Sequence, residues 1–70
     1  MVEVFKTNIQ EIGQAKMISD ILSRRFPFYK INFDLEDCDK ILRVSGDSIE
    51  LSEITKIVTQ KGFVCQELLD

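Results

Sequence analysis

Histidine is absent from this 70-residue sequence, and cysteine occurs only twice. Without histidine, the chain lacks the commonest general base and the commonest nitrogen ligand for metals. Cys38 and Cys65 lie far apart in sequence, so they form neither a disulfide-rich framework nor a closely spaced metal pair. We therefore predict two reduced thiols, no enzymatic activity and no cofactor.

Long apolar segments are also missing. No window approaches the roughly 20 apolar residues that a membrane-spanning helix needs, and residues 1–6 lack the charged start and apolar stretch of a signal peptide. Nine basic residues against twelve acidic ones give a net charge of -3, whereas a domain that binds phosphates normally carries a basic face. These features predict a cytoplasmic protein with no membrane insertion and no nucleic-acid partner.

What the sequence does contain is the composition of a folded protein. Hydrophobic residues make up 44% and charged residues 30%, which is ordinary for a globular chain. A chain of this length holds one hydrophobic core. We expect a single domain that spans residues 1–70.

The first two elements are a strand and a helix. Residues 2–7 mix β-branched and aromatic side chains with charged ones and predict a strand. Apolar residues occur at both odd and even positions, so the pattern does not show which face of the strand is buried. Asn8 with Glu11, and Thr7 with Gln10, each match a capping box, in which side chains bind the first free N–H groups of a helix. The helix should therefore begin near residue 9 or 10.

A buried face of this helix is indicated by apolar residues at three- and four-residue steps. Pro27 should end the helix, and Arg24 and Arg25 suit its last turn because positive charge complements the carbonyl end of the helix dipole. The residues of the predicted face are Ile12, Ala15, Ile18, Leu22 and Phe26.

The second half of the chain predicts a hairpin, a helix and a last strand. Residues 29–35 alternate between apolar and polar and predict a strand, and a polar turn over 36–39 leads to a strand over 40–45. Helical spacing then runs from Leu51 to Gly62, where glycine suits a left-handed cap. Residues 63–68 predict a short final strand, in which Cys65 is expected to be a small core residue.

This order of elements, β-α-β-β-α-β, predicts an α+β fold, the ferredoxin-like plait. The four-stranded antiparallel sheet would have the order 4-1-3-2, with two helices on one face. The β1–α1 loop, the β2–β3 turn and the α2–β4 loop would then share one end of the molecule. That end should carry Asn8, Gln10, Glu11, Cys38, Lys61 and the acidic turn.

Three segments resemble the heavy-metal-associated domains of copper chaperones and metal-pumping ATPases. They are Phe5-Lys6-Thr7-Asn8-Ile9, Asp39-Lys40-Ile41-Leu42-x-Val44 and Lys61-Gly62-Phe63, and the resemblance covers nearly the whole chain. In that family the β1–α1 loop carries a Cys-x-x-Cys pair that binds a soft ion such as Cu(I). Here Glu11 and Gln14 stand where the cysteines would, so the chain resembles a degenerate member that lacks the pair.

Other proteins with the predicted plait fit these residues poorly. Acylphosphatases need a basic, glycine-rich phosphate loop after the first strand, and residues 6–14 contain one glycine and no arginine. RNA-recognition plaits stack bases on aromatic residues of the two central strands, where this chain has only Phe5.

Two functions remain as hypotheses. The first is a non-enzymatic interaction module that has lost the thiolate metal site and contacts an unknown protein partner or a metal transporter, as a monomer or weak dimer. The alternative is a heavy-metal ion binding or carrier protein with non-standard ligands, for which Cys38 and Glu11 are the candidates and a second copy could supply another thiol. The candidate partner contacts are Asn8, Gln10, Glu11, Gln14, Asp37, Cys38 and Lys61.

Overall fold

The computed structural model describes residues 1–68, and its elements follow the predicted order. The predicted last strand is shorter than expected, because the backbone N–H of Val64 donates to the Asn8 side chain at 2.8 Å and residues 63–64 form a connection. The elements are β1 (Val2–Thr7), α1 (Ile12–Arg25), β2 (Lys30–Asp34), β3 (Ile41–Ser45), α2 (Leu51–Gln60) and β4 (Cys65–Glu67).

Within residues 1–68 the strands form one four-stranded sheet in the order β2-β3-β1-β4. This is the predicted order 4-1-3-2 counted from the other edge, and every neighbouring pair is antiparallel, as predicted. β2 and β3 form the predicted hairpin, in a register that sets Asn32 opposite Arg43. With both helices on one face, the architecture is the ferredoxin-like plait.

The structure identifies the buried face of β1, which the sequence left open. Phe5 and Thr7 are buried, whereas Lys6 between them is exposed. Because side chains alternate across a strand, Phe5 and its partner Leu42 point to the face of the sheet that the helices cover. The core beneath the helices consists of Phe5, Ile9, Ala15, Ile18, Leu22, Leu42, Val44, Ile54, Val58 and Cys65.

The helix α1 has the predicted buried face but begins later than predicted. Ala15, Ile18 and Leu22 are buried, and the helix ends at Arg25, where the N–H of the next residue donates to the carbonyl of Leu22. Ile12, which the pattern placed on the buried face, is 80% exposed. It occupies the first helical turn, beyond the edge of the core.

The helix α2 ends as its sequence predicts. Gly62 follows the C-cap residue and has a φ of 92°, in the left-handed region that glycine tolerates best. Its N–H donates to the carbonyl of Thr59 at 3.0 Å. No helix in residues 1–68 is long and apolar enough to cross a membrane.

Tyr29 links the connection after α1 to the connection before α2 through ring stacking and hydrogen bonds. Its ring stacks on Phe26 with centroids 4.7 Å apart, and its hydroxyl donates to the carbonyl of Ser48 at 2.7 Å. The same hydroxyl accepts from the N–H of Glu50 at 2.9 Å. Gly46 leaves room for the ring, because a Cβ there would lie 2.8 Å from a ring carbon.

Candidate functional site

The three predicted connections meet at one end of the molecule. We call this region the loop end and define it as residues 8–14, 35–40 and 61–64. Thr7, at the end of β1, binds the β2–β3 turn through its N–H, which donates to Asp39 at 3.1 Å, and its hydroxyl, which donates to the carbonyl of Lys40 at 2.6 Å. Asn8 binds the α2–β4 connection by accepting from Val64. The predicted convergence is therefore present.

These contacts explain why the capping-box prediction is wrong. The Thr7 hydroxyl donates to the carbonyl of Lys40 and accepts the N–H of Ile9, which precedes the helix, at 3.2 Å. The Asn8 side chain accepts the N–H of Val64. Both predicted capping groups therefore bind neighbouring loops instead of the helix. Glu11 becomes the N-cap residue of α1 and makes no side-chain capping bond. The buried side chain of Ile9 anchors the intervening loop in the core.

A shallow cleft of about 340 Å³ lies between the start of α1 and the end of α2. Glu11 and Gln14 line it, and they offer carboxylate and amide oxygens. Such oxygens suit hard cations and do not fit a soft ion, which prefers sulfur. The full lining is Asn8, Gln10, Glu11, Gln14, Gly62 and Phe63.

The acidic turn between β2 and β3 carries Cys38, whose side chain is exposed. One ligand atom each from Asp37, Cys38 and Asp39 lies within 4.8 Å of the others. Both carboxylates already have partners: Asp37 accepts the N–H of Asp39 at 2.8 Å, and Asp39 forms an ion pair with Lys6 at 3.7 Å. The turn is held closed by these contacts.

Lys40 completes the turn with a left-handed backbone conformation, φ 48°. Its ammonium group donates to the carbonyl of Leu35 at 2.9 Å, and its N–H donates to the carbonyl of Asp37 at 3.0 Å. A non-glycine residue in this region is uncommon, and here side-chain and backbone bonds both hold it. The positive charge of Lys40 is thus engaged inside the turn.

Cys65 has no place in the candidate site. It is buried beneath α2, and burial raises the pKa of its thiol to about 11, an effect that a hydrogen bond with Thr55 partly offsets. A thiol that stays protonated at neutral pH is neither a good nucleophile nor a good ligand. This agrees with its predicted role as a core residue.

The predicted site residues are not all in one place. Asn8, Gln10, Glu11 and Gln14 line the cleft, and exposed Lys61 precedes the cleft residue Gly62. Asp37 and Cys38 lie on the neighbouring acidic turn. Sequence reasoning missed Phe63 as a cleft residue because its apolar side chain was assigned to a strand.

No protein-family model matches this sequence, and a search of curated proteins finds no match. The fold is similar to that of a copper transporter domain from yeast, whose solution structure describes the apo and Cu(I)-loaded states. The TM-score is 0.82, the alignment covers 99% of this chain and 96% of that one, and 18% of the residues are identical. This similarity confirms the predicted fold.

Proposed function

We propose that this protein is a non-enzymatic interaction module that uses the loop end to bind a protein partner, with a metal transporter as one candidate. The observation that carries the proposal is the way in which the loop end is built. Thr7 and Asn8 fix its backbone, and the cleft residues Gln10, Glu11 and Gln14 make none of the side-chain hydrogen bonds found within residues 1–68. A rigid surface with uncommitted polar groups is suited to recognition.

The charge of this surface indicates the chemistry of the partner. Within residues 1–68, Lys6 and Asp39 form the only ion pair within 4 Å, so Glu11, Glu36 and Asp37 are not neutralised in this way. A surface with several carboxylates outside ion pairs attracts a basic partner surface and speeds the encounter. The exposed apolar side chain of Ile12 adds area at the start of α1.

The fold similarity supports the view that this chain is a metal-domain-like protein, and we propose that it lacks the thiolate site. The similar yeast structure is that of a copper transporter domain, one that was studied with Cu(I) bound. In the present chain the corresponding pair of positions would be Glu11 and Gln14, whose oxygen atoms suit recognition of basic or amide groups. On this proposal the ancestral metal loop now serves protein contact in the cytoplasm.

A photo-crosslinker attached to Cys38 tests the proposal, because this thiol is exposed and Cys65 is buried. In a native lysate the label should capture a specific protein, and the reversal Glu11→Lys should reduce capture. The matched control carries the label at the opposite end of α1, in Ser23→Cys combined with Cys38→Ser. Equal capture from both positions, or capture insensitive to Glu11→Lys, would count against a loop-end surface.

The second candidate function is metal binding at the acidic turn. The proximity of the Asp37, Cys38 and Asp39 ligand atoms favours it. One thiolate beside two carboxylates is a mixed set for either a soft or a hard ion, so a second thiol from another copy would be needed for strong Cu(I) binding. Affinity would then depend on the concentration of the protein.

Titration of Cu(I) or Zn(II) into the reduced protein, followed by amide NMR, tests this candidate. Metal binding predicts shifts confined to residues 8–14, 37–39 and 61–62, and their loss in Cys38→Ser. An unchanged spectrum at one equivalent of metal would exclude the metal function while leaving the interaction function to the crosslinking experiment.

A further inference from the structure

The strand β2 lies at an edge of the sheet, and the hydrogen bonds of its neighbours show which of its backbone groups face outward. Met1 and Gly46 exchange both backbone bonds, at 2.9 and 3.0 Å. In an antiparallel ladder, every second pair of opposite residues exchanges backbone hydrogen bonds. Counting from Gly46 in steps of two, Val44 and Leu42 therefore also direct their N–H and C=O groups toward β1. The intervening residue Arg43 therefore faces β2.

The same alternation continues into β2. Asn32 is opposite Arg43 and directs its N–H and C=O groups toward β3. Ile31 and Phe33, on either side of it, direct theirs away from the sheet. These groups have no partner within residues 1–68, since β2 pairs with β3 alone.

The side chains of β2 are self-complementary about Asn32. An antiparallel copy of Lys30–Asp34, centred on that residue, would set Lys30 opposite Asp34 of the second copy and Ile31 opposite Phe33 of the second copy. The apolar pair lies on the helical face, where both side chains are only partly buried. The charged pair lies on the open face, and each attraction occurs twice by symmetry.

We propose that a second copy of this chain binds at the β2 edge, antiparallel and centred on Asn32. Ile31 and Phe33 would form the hydrogen-bonded pairs, because their N–H and C=O groups face outward. Lys30 and Asp34 would form the non-hydrogen-bonded pairs, in which side chains approach most closely. The two sheets would join edge to edge, with all helices on one side.

The charges favour this register over one centred on Ile31. Centring the pair on Ile31 would set Lys30 opposite Asn32 and lose both ion pairs, and a shift by one residue would set outward-facing backbone groups against inward-facing ones. Charged residues on edge strands commonly prevent indiscriminate pairing. Here the opposite charges at the two ends of β2 favour self-pairing centred on Asn32 over self-pairing centred on Ile31.

The dimer should be weak and sensitive to salt. Five residues from each copy form a contact well below the roughly 1,000 Å² expected of a stable interface, so the dissociation constant should fall near the millimolar range. The Lys30–Asp34 pairs lie on the exposed face of the sheet and are screened as ionic strength rises. Raising the salt concentration should therefore shift the equilibrium toward the monomer.

Sedimentation equilibrium combined with concentration-dependent amide NMR tests this proposal on the whole chain. Shifts that grow with concentration should centre on residues 30–34. Lys30→Glu turns two attractive pairs into two repulsive ones and should raise the dissociation constant about tenfold. Asp34→Lys should have the same effect.

The decisive comparison is rescue. The double variant Lys30→Glu/Asp34→Lys restores opposite charges in the same register and should dimerise as the parent does. A mixture of the two single variants should also form heterodimers. If dimerisation is absent at millimolar concentration, or if the double variant is no better than the single ones, the proposal is wrong. Since none of these residues belongs to the loop end, such a failure would leave the crosslinking test of the proposed function unaffected.

Discussion

Removal of the Tyr29 hydroxyl by Tyr29→Phe should destabilise the fold by about 1–2 kcal/mol. The hydroxyl donates to Ser48 and accepts from Glu50, and this bridge fixes the connection that leads into α2. Both backbone groups are exposed enough for water to replace the lost bonds. The loss is therefore the net value of two hydrogen bonds, without the penalty for leaving buried groups unsatisfied.

The free energy of unfolding can be measured by urea denaturation followed by circular dichroism. In a domain of this size, each kcal/mol lowers the melting temperature by about 4–8 °C. Hydrogen exchange gives a local readout. The N–H of Glu50 should exchange faster in Tyr29→Phe, whereas the amides of β1 and β3 should lose only the protection that the lower global stability removes. The phenyl ring retains the stacking on Phe26, so the substitution isolates the hydroxyl.

Phe28→Leu is the matched control, since Phe28 is next in sequence and 93% exposed. Substitution of an exposed side chain should change stability by less than about 0.5 kcal/mol. The reasoning would be refuted if Tyr29→Phe were as stable as the parent, or if it lost stability without faster exchange at Glu50. Either result would mean that the bridge contributes nothing to the start of α2.

The remaining predictions concern the three glycines and the two thiols. Gly46→Ala should lower the free energy of unfolding by about 1–3 kcal/mol, because its Cβ would lie 2.8 Å from a tyrosine ring. Gly13→Ala, in open space within α1, should raise it by about 0.5–1 kcal/mol. Thermal melts of both variants check this contrast. Gly62→Ala should cost about 1 kcal/mol because of its left-handed backbone, and equal stability in urea would contradict this. Alkylation near neutral pH should modify exposed Cys38 quickly and Cys65 only upon unfolding. The free energy of unfolding should fall as pH rises from about 9 to about 11, because the Cys65 thiol ionises first in the unfolded chain, and Cys65→Ala should remove this dependence.

The sequence predicts the architecture well because its signals are local and periodic. Alternation over residues 29–35 marks β2, and spacing from Ala15 to Leu22 marks the buried face of α1, both of which the structure confirms. Gly62 marks the end of α2, because glycine tolerates the left-handed backbone conformation found there. Strand order then follows from the right-handed crossovers that such elements require.

The start of α1 could not be predicted in the same way. Thr7 and Asn8 have the side chains of capping residues, but whether they cap a helix depends on which groups lie nearby. The long-range partners Lys40 and Val64 are distant in sequence, and they compete successfully for these side chains. Local patterns therefore placed the helix start two or three residues too early and left Ile12 on the wrong surface.

The two ways in which copies of this chain are proposed to associate are geometrically exclusive. In the edge dimer, Asp34 of one copy is separated from Asp34 of the other by four residues of strand, or about 14 Å at 3.4 Å per residue. Each Cys38 follows farther along its own turn, whereas two sulfurs that share one ion, with bonds of about 2.3 Å, must lie within about 5 Å. Cys38→Ser should therefore leave the dissociation constant of the edge dimer unchanged, and Lys30→Glu should leave a metal-bridged dimer intact. Association that requires both residues would contradict both models, because no single pairing of two copies places Lys30 against Asp34 and one Cys38 against the other.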